Sequence, residues 1–92
     1  MNYSIILSDK AEKDIIYFKK SGNLVLYKKI AALIEEISET PYTGTGKPER
    51  LKGNLSGMWS RRISGEHRLV YYVNESVITV NIASAKGHYG DK

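Results

Sequence analysis

An α+β domain, with two helices packed on one face of a mostly antiparallel sheet, is the fold class predicted by three features of these 92 residues. Apolar residues recur at helical spacing as far as residue 40. A connector containing proline and glycine follows. From Met58 onward the apolar pattern has a period of two, interrupted by turns of hairpin length. With a short strand at the start, the order is βααβββ, and one face of the sheet is left open. A mass of 10.4 kDa accommodates one core, and 41% hydrophobic with 26% charged residues is the composition of a folded domain. Residues 1–92 are therefore read as a single domain, with a tail over 87–92.

The opening strand is Tyr3 to Leu7, short, apolar and β-branched. Ser8 and Asp9 open the first helix, where Asp9 and Glu12 have capping-box spacing and Ala11, Ile15 and Phe18 share a face. Lys19-Lys20-Ser21-Gly22 closes it, with cations in the last turn and a glycine suited to positive φ. The second helix is expected from about Asn23 to Ser38, its stripe formed by Ile30, Leu33, Ile34 and Ile37. Pro41 stops it. Three strands follow, Met58 to Ser64, His67 to Val73 and Val77 to Ala83, joined by Ser-Gly-Glu and Asn-Glu-Ser turns as a meander. Trp59 and most of the tyrosines are expected in the core.

Charge divides the chain. Through Thr40, six lysines are matched by six carboxylates; from Pro41 onward, eight Lys and Arg face only Glu49, Glu66, Glu75 and Asp91. The net charge of +4 thus lies wholly in the second half, an asymmetry that points to a polyanionic partner. The chain has no cysteine, which excludes disulfides, thiolate zinc sites and a cysteine nucleophile. The start lacks a basic leader and no stretch is apolar enough to span a bilayer, so a cytoplasmic protein with no membrane partner is expected. His67 and His88 are far apart and no carboxylate cluster accompanies them, so no metal is expected. Gly44-Thr45-Gly46-Lys47-Pro48 follows a helix rather than a strand and reads as a connector, not a phosphate loop.

The segment from Gly44 to Tyr72 concentrates Glu49, Lys52, Arg61, Arg62, His67 and Arg68. Alternation sends Arg61 and Arg62 to opposite sides of their strand. If Trp59 and Ile63 are core, Arg62 joins Arg68 on the open face. RNA carries its own nucleophile, the 2′-hydroxyl, so cleavage needs only a base, an acid for the 5′-oxygen and cations for the phosphate. Glu49, His88 and Arg68 have the right chemistry for those three tasks. Each also has an ordinary role: Glu49 as a surface ion-pair partner, Arg62 and Arg68 as solvated charges, His88 as a surface residue near the chain end. His67, at a turn and strand start, reads as structural.

Gly46-Lys47-Pro48-Glu49, Leu51-Lys52, Asn54-Leu55-Ser56-Gly57, Trp59-Ser60-Arg61-Arg62-Ile63, Glu66-His67-Arg68-Leu69-Val70-Tyr71 and His88-Tyr89 together closely resemble the YoeB/Txe toxins, a branch of the RelE-like superfamily. The resemblance is nearly continuous from Pro41 to Tyr71 and mainly topological over the first 40 residues. It implies a RelE-like fold and the toxin of a bacterial type II toxin-antitoxin system. It further implies an endoribonuclease that cleaves mRNA in the ribosomal A site, without a cofactor, leaving a 2′,3′-cyclic phosphate and a 5′-hydroxyl. Carried over by position, Glu49 is the general base, Arg68 the transition-state stabiliser and His88 the general acid. Lys52 and Arg62 become phosphate contacts and Tyr89 the aromatic beside the scissile nucleotide; Lys47 and Arg61 are grouped with the RNA-binding set. The implied partners are mRNA, the ribosome with its rRNA, an antitoxin of the YefM/Axe type, and a second copy in a homodimer.

The chain departs from the family pattern in having Arg50 where proline is common and in continuing through Gly90-Asp91-Lys92 after His88-Tyr89. A different class, a non-catalytic inhibitor that binds the ribosome or gyrase, can be carried by the same fold. The Glu/Arg/His combination distinguishes the nuclease reading from it.

Overall fold

The computed structural model describes residues 3–84. Strand β1 (Ser4–Leu7) leads through Ser8 into helix α1 (Asp9–Lys20), and helix α2 (Leu24–Glu39) returns antiparallel to it. Four strands follow: β2 (Glu49–Arg50), β3 (Trp59–Arg62), β4 (His67–Asn74) and β5 (Val77–Ser84), with a 3-10 turn at Gly53–Leu55 between the first two. The sheet order is β1-β5-β4-β3-β2. β1 pairs parallel to β5 and all other pairs are antiparallel, so the two-helix, mostly antiparallel arrangement holds.

Three details differ from the sequence reading. The meander gains an edge strand, β2, whose two residues are too few to show alternation. The cap of α1 is Ser8, whose Oγ accepts from the Ala11 amide at 3.0 Å, so the Asp9/Glu12 spacing is displaced by one from the true cap. β3 ends at Arg62, because Ser64 turns the chain by accepting from the amides of Glu66 and His67.

The helices cover one face. Ala11 and Phe18 of α1 and Leu26, Ile30, Leu33 and Ile37 of α2 pack against Ile63, Leu69, Tyr71, Ile78 and Val80. The α2 stripe is thus the expected one extended back to Leu26, with Ile34 only half-buried. Tyr71 alone among the described tyrosines is buried; Tyr17, Tyr42 and Tyr72 are exposed, which corrects the expectation that the tyrosines are mostly core. His67 sits edge-on to Phe18, ring centres 5.4 Å apart, with its Nδ1 3.4 Å from Ser64 Oγ.

Candidate active site on the sheet face away from the helices

Because Leu69 and Tyr71 point into the core, alternation turns Arg68, Val70 and Tyr72 to the other face. The register carries that face across the neighbouring strands. Ser60 stands opposite Val70, Arg62 opposite Arg68, and Glu49 opposite Ser60. Glu49, Ser60, Arg62 and Arg68 therefore share one face of the sheet, with Ser60 buried and Glu49 and Arg62 exposed, as the alternation of Trp59 and Ile63 predicts for Arg62.

Its geometry is that of a carboxylate set among guanidinium groups. Arg68 Nη1 lies 3.8 Å from Glu49 Oε1 and 3.4 Å from Ser60 Oγ, to which it donates. Two arginines directly opposite across an antiparallel pair repel each other, and Glu49 offsets only part of that charge. The Glu49 side chain is 67% exposed and that of Arg68 39%, so their ion pair is screened and contributes little to stability. Such an arrangement is poor as scaffolding. It suits an incoming anion, which can take over Arg68 without a large loss of native pairing.

Along the chain, Lys47 and Lys52 stand on either side of Glu49. Lys47 is exposed and held at φ 52, a left-handed conformation that falls between Gly46 and Pro48. Lys52 is exposed in extended backbone just ahead of the 3-10 turn. His88 and Tyr89 lie outside the described residues, so the structure brings together Glu49, Arg62 and Arg68 of the expected set.

Arg61 is the exception. Its side chain points to the helix side of β3 and is fully buried, so it is not available to RNA and leaves the phosphate-binding set. All five of its N–H donors are used. Nε donates to Tyr71 Oη at 3.1 Å; Nη1 donates to Glu36 Oε1 at 3.1 Å and to the Thr45 carbonyl at 3.4 Å. Nη2 donates to the carbonyls of Thr40 and Thr43. Tyr71 in turn donates to the Pro41 carbonyl, and burial raises its hydroxyl pKa, against the lowering effect of the Arg61 hydrogen bond. Two neighbouring arginines thus do opposite jobs. Alternation separates them in the sequence; the partner Glu36, one α2 turn before Thr40, carries no signal that could be read without the helix docked.

Residues 7–89 match the family model described as the YoeB-like toxin of bacterial type II toxin-antitoxin systems. The chain belongs to this family. Toxin YoeB of Escherichia coli is 45% identical over 85 residues, covering 92% of this chain and 98% of that protein. Among solved structures, the YoeB-YefM complex from Staphylococcus aureus is 40% identical with a TM-score of 0.78, covering 91% of this chain and 95% of that one. The YoeB dimer from the same organism is 39% identical with a TM-score of 0.80, covering 91% and 97%. The chain is therefore a YoeB-family toxin of a type II toxin-antitoxin system. Among its described residues no helix is long and apolar enough to cross a membrane.

Proposed function

We propose that this toxin is a ribosome-dependent endoribonuclease that cuts mRNA in the A site, with Glu49 as base, Arg68 as the phosphate-stabilising cation and His88 as acid. One observation supports the reading: Glu49 lies 3.8 Å from Arg68 on the sheet face away from the helices, where Arg62 stands directly opposite Arg68. In the reaction, Glu49 takes the proton of the 2′-hydroxyl and the 2′-oxygen attacks phosphorus. The bond from phosphorus to the 5′-oxygen breaks, and that oxygen takes a proton from His88. Arg68, with Arg62 and Lys52, offsets the charge that builds on the phosphoryl oxygens. The products are a 2′,3′-cyclic phosphate and a 5′-hydroxyl, and the reaction as written balances without a cofactor.

Lys47 is assigned a contact with the RNA backbone and Tyr89 the scissile nucleotide. Ribosome binding supplies the positioned message, since the exposed cations recognise phosphate without reading sequence. Titration of the toxin by a YefM/Axe-type antitoxin and self-association as a homodimer are proposed by analogy with the two Staphylococcus aureus assemblies. The site of action is placed in the cytoplasm, where translating ribosomes are.

Primer extension on a translated message tests the reading. Wild-type protein is expected to cut within the A-site codon, and Glu49→Ala, Arg68→Ala and His88→Ala are each expected to lower cleavage by about 100-fold or more. Wild-type cleavage by all three folded variants would refute the assignment, and ribosome arrest without strand scission would favour a blocking inhibitor.

A further inference from the structure

Arg61 is the largest fully buried side chain among the described residues, yet the proposed chemistry gives it no task. Its hydrogen bonds converge on one piece of backbone, the segment 40–46 between α2 and β2, gripped through the carbonyls of Thr40, Thr43 and Thr45. Glu36, paired with Arg61 at 3.1 Å, holds the same segment, accepting from the Thr45 amide at 3.2 Å and from the Thr45 hydroxyl at 3.3 Å. The Gly46 carbonyl then accepts from the Arg62 amide at 2.8 Å, fixing the end of the segment to β3. The packing is tight: a Cβ on Gly44 would lie 2.7 Å from Glu36 Oε2, and one on Gly46 would lie 2.9 Å from the Arg62 carbonyl oxygen.

Three residues beyond Gly46 the chain delivers Glu49. β2 is only two residues long, so its pairing with β3 fixes the carboxylate weakly by itself, and the orientation of Glu49 depends on how the chain enters the strand. We propose that Arg61 is a positioning residue: with Glu36 and Tyr71 it holds segment 40–46 from the core side of the sheet and so sets Glu49 against Arg68 on the opposite side. The inference rests on the reading of Glu49 as the base.

The test is single-turnover cleavage of A-site mRNA as ribosome concentration is varied, for Arg61→Lys, Glu49→Ala and the double variant, with circular dichroism as the check on folding. Lysine keeps the charge and loses the five-donor fork. Folded Arg61→Lys is expected to lose about tenfold or more in maximal rate, the scale of a small misplacement of a reacting group, while the half-saturating ribosome concentration stays the same. On the residual rate of Glu49→Ala, adding Arg61→Lys is expected to cost nothing further. Amide exchange at Thr45 and Arg62 is expected to quicken in Arg61→Lys. If Arg61→Lys does not fold, Glu36→Gln replaces it in every arm, since that carboxylate is partly exposed and the change keeps its size. A folded variant with the wild-type maximal rate, an equal loss in the Glu49→Ala background, or a shifted half-saturation with an unchanged maximal rate would overturn the positioning role. A fully active Glu49→Ala would overturn the reading of Glu49 as the base and the positioning role with it; with Glu49→Ala inactive, each of the preceding outcomes overturns the positioning role alone.

Discussion

At the scale of single residues, the contrast between Arg61 and Arg62 shows how one sheet strand serves two surfaces. Arg62 keeps its charge in water beside Arg68, and Arg61 spends the same functional group on backbone carbonyls. Tyr71 joins the second system, and its titration gives a prediction. Burial raises the Tyr71 pKa above the ordinary value of about 10, so the unfolded chain releases that proton first. The neutral hydroxyl therefore contributes its full stability below about pH 10 and loses it as pH rises from there through the raised folded value. Tyr71→Phe leaves Arg61 Nε and the Pro41 carbonyl without this partner and is expected to cost about 1–3 kcal/mol at neutral pH. Urea denaturation at neutral pH and in steps above pH 10 checks both statements: the gap between wild type and Tyr71→Phe should narrow in alkali, and a constant gap would contradict the assignment.

At the scale of elements, the helices were legible because a long amphipathic period survives small errors at its ends. The α1 cap was misplaced by one residue because Ser8 and Asp9 are both good caps, and only Ser8 Oγ reaches the Ala11 amide. β2 was invisible for the opposite reason. Its two residues become a strand only through pairing with β3. The segment leading to β2 read as a bare connector, although Gly46 is there for a definite purpose. Gly22 and Gly46 share φ 83, but a Cβ on Gly22 meets nothing within 4 Å, whereas one on Gly46 meets the Arg62 carbonyl. Alanine at Gly22 should cost about 1 kcal/mol for the left-handed backbone alone. At Gly46 the same strain is joined by overpacking, a further cost of about 1–3 kcal/mol. Thermal melts of the two variants side by side make the comparison, and equal losses would mean that segment 40–46 does not press on β3.

At the scale of the molecule, the order β1-β5-β4-β3-β2 puts the parallel β1/β5 pair at one edge and the basic segment at the other. Glu49, Lys52, Arg62 and Arg68 lie on or between three successive strands at that second edge, so local sequence already held most of the candidate site. What it did not hold was the buried support, because Glu36 meets Arg61 only after α2 packs on the sheet. The whole-molecule claim is that an exposed, weakly paired Glu49–Arg68 couple is a catalytic device completed by RNA on the ribosome. Its most direct test is the yield of 5′-hydroxyl and 2′,3′-cyclic phosphate ends from one mRNA, with and without translating ribosomes, using wild type and Glu49→Ala. Such ends should appear with wild type on translating ribosomes and be all but absent from the other three reactions. Equal yields from wild type and Glu49→Ala, or no such ends from wild type on ribosomes, would contradict it.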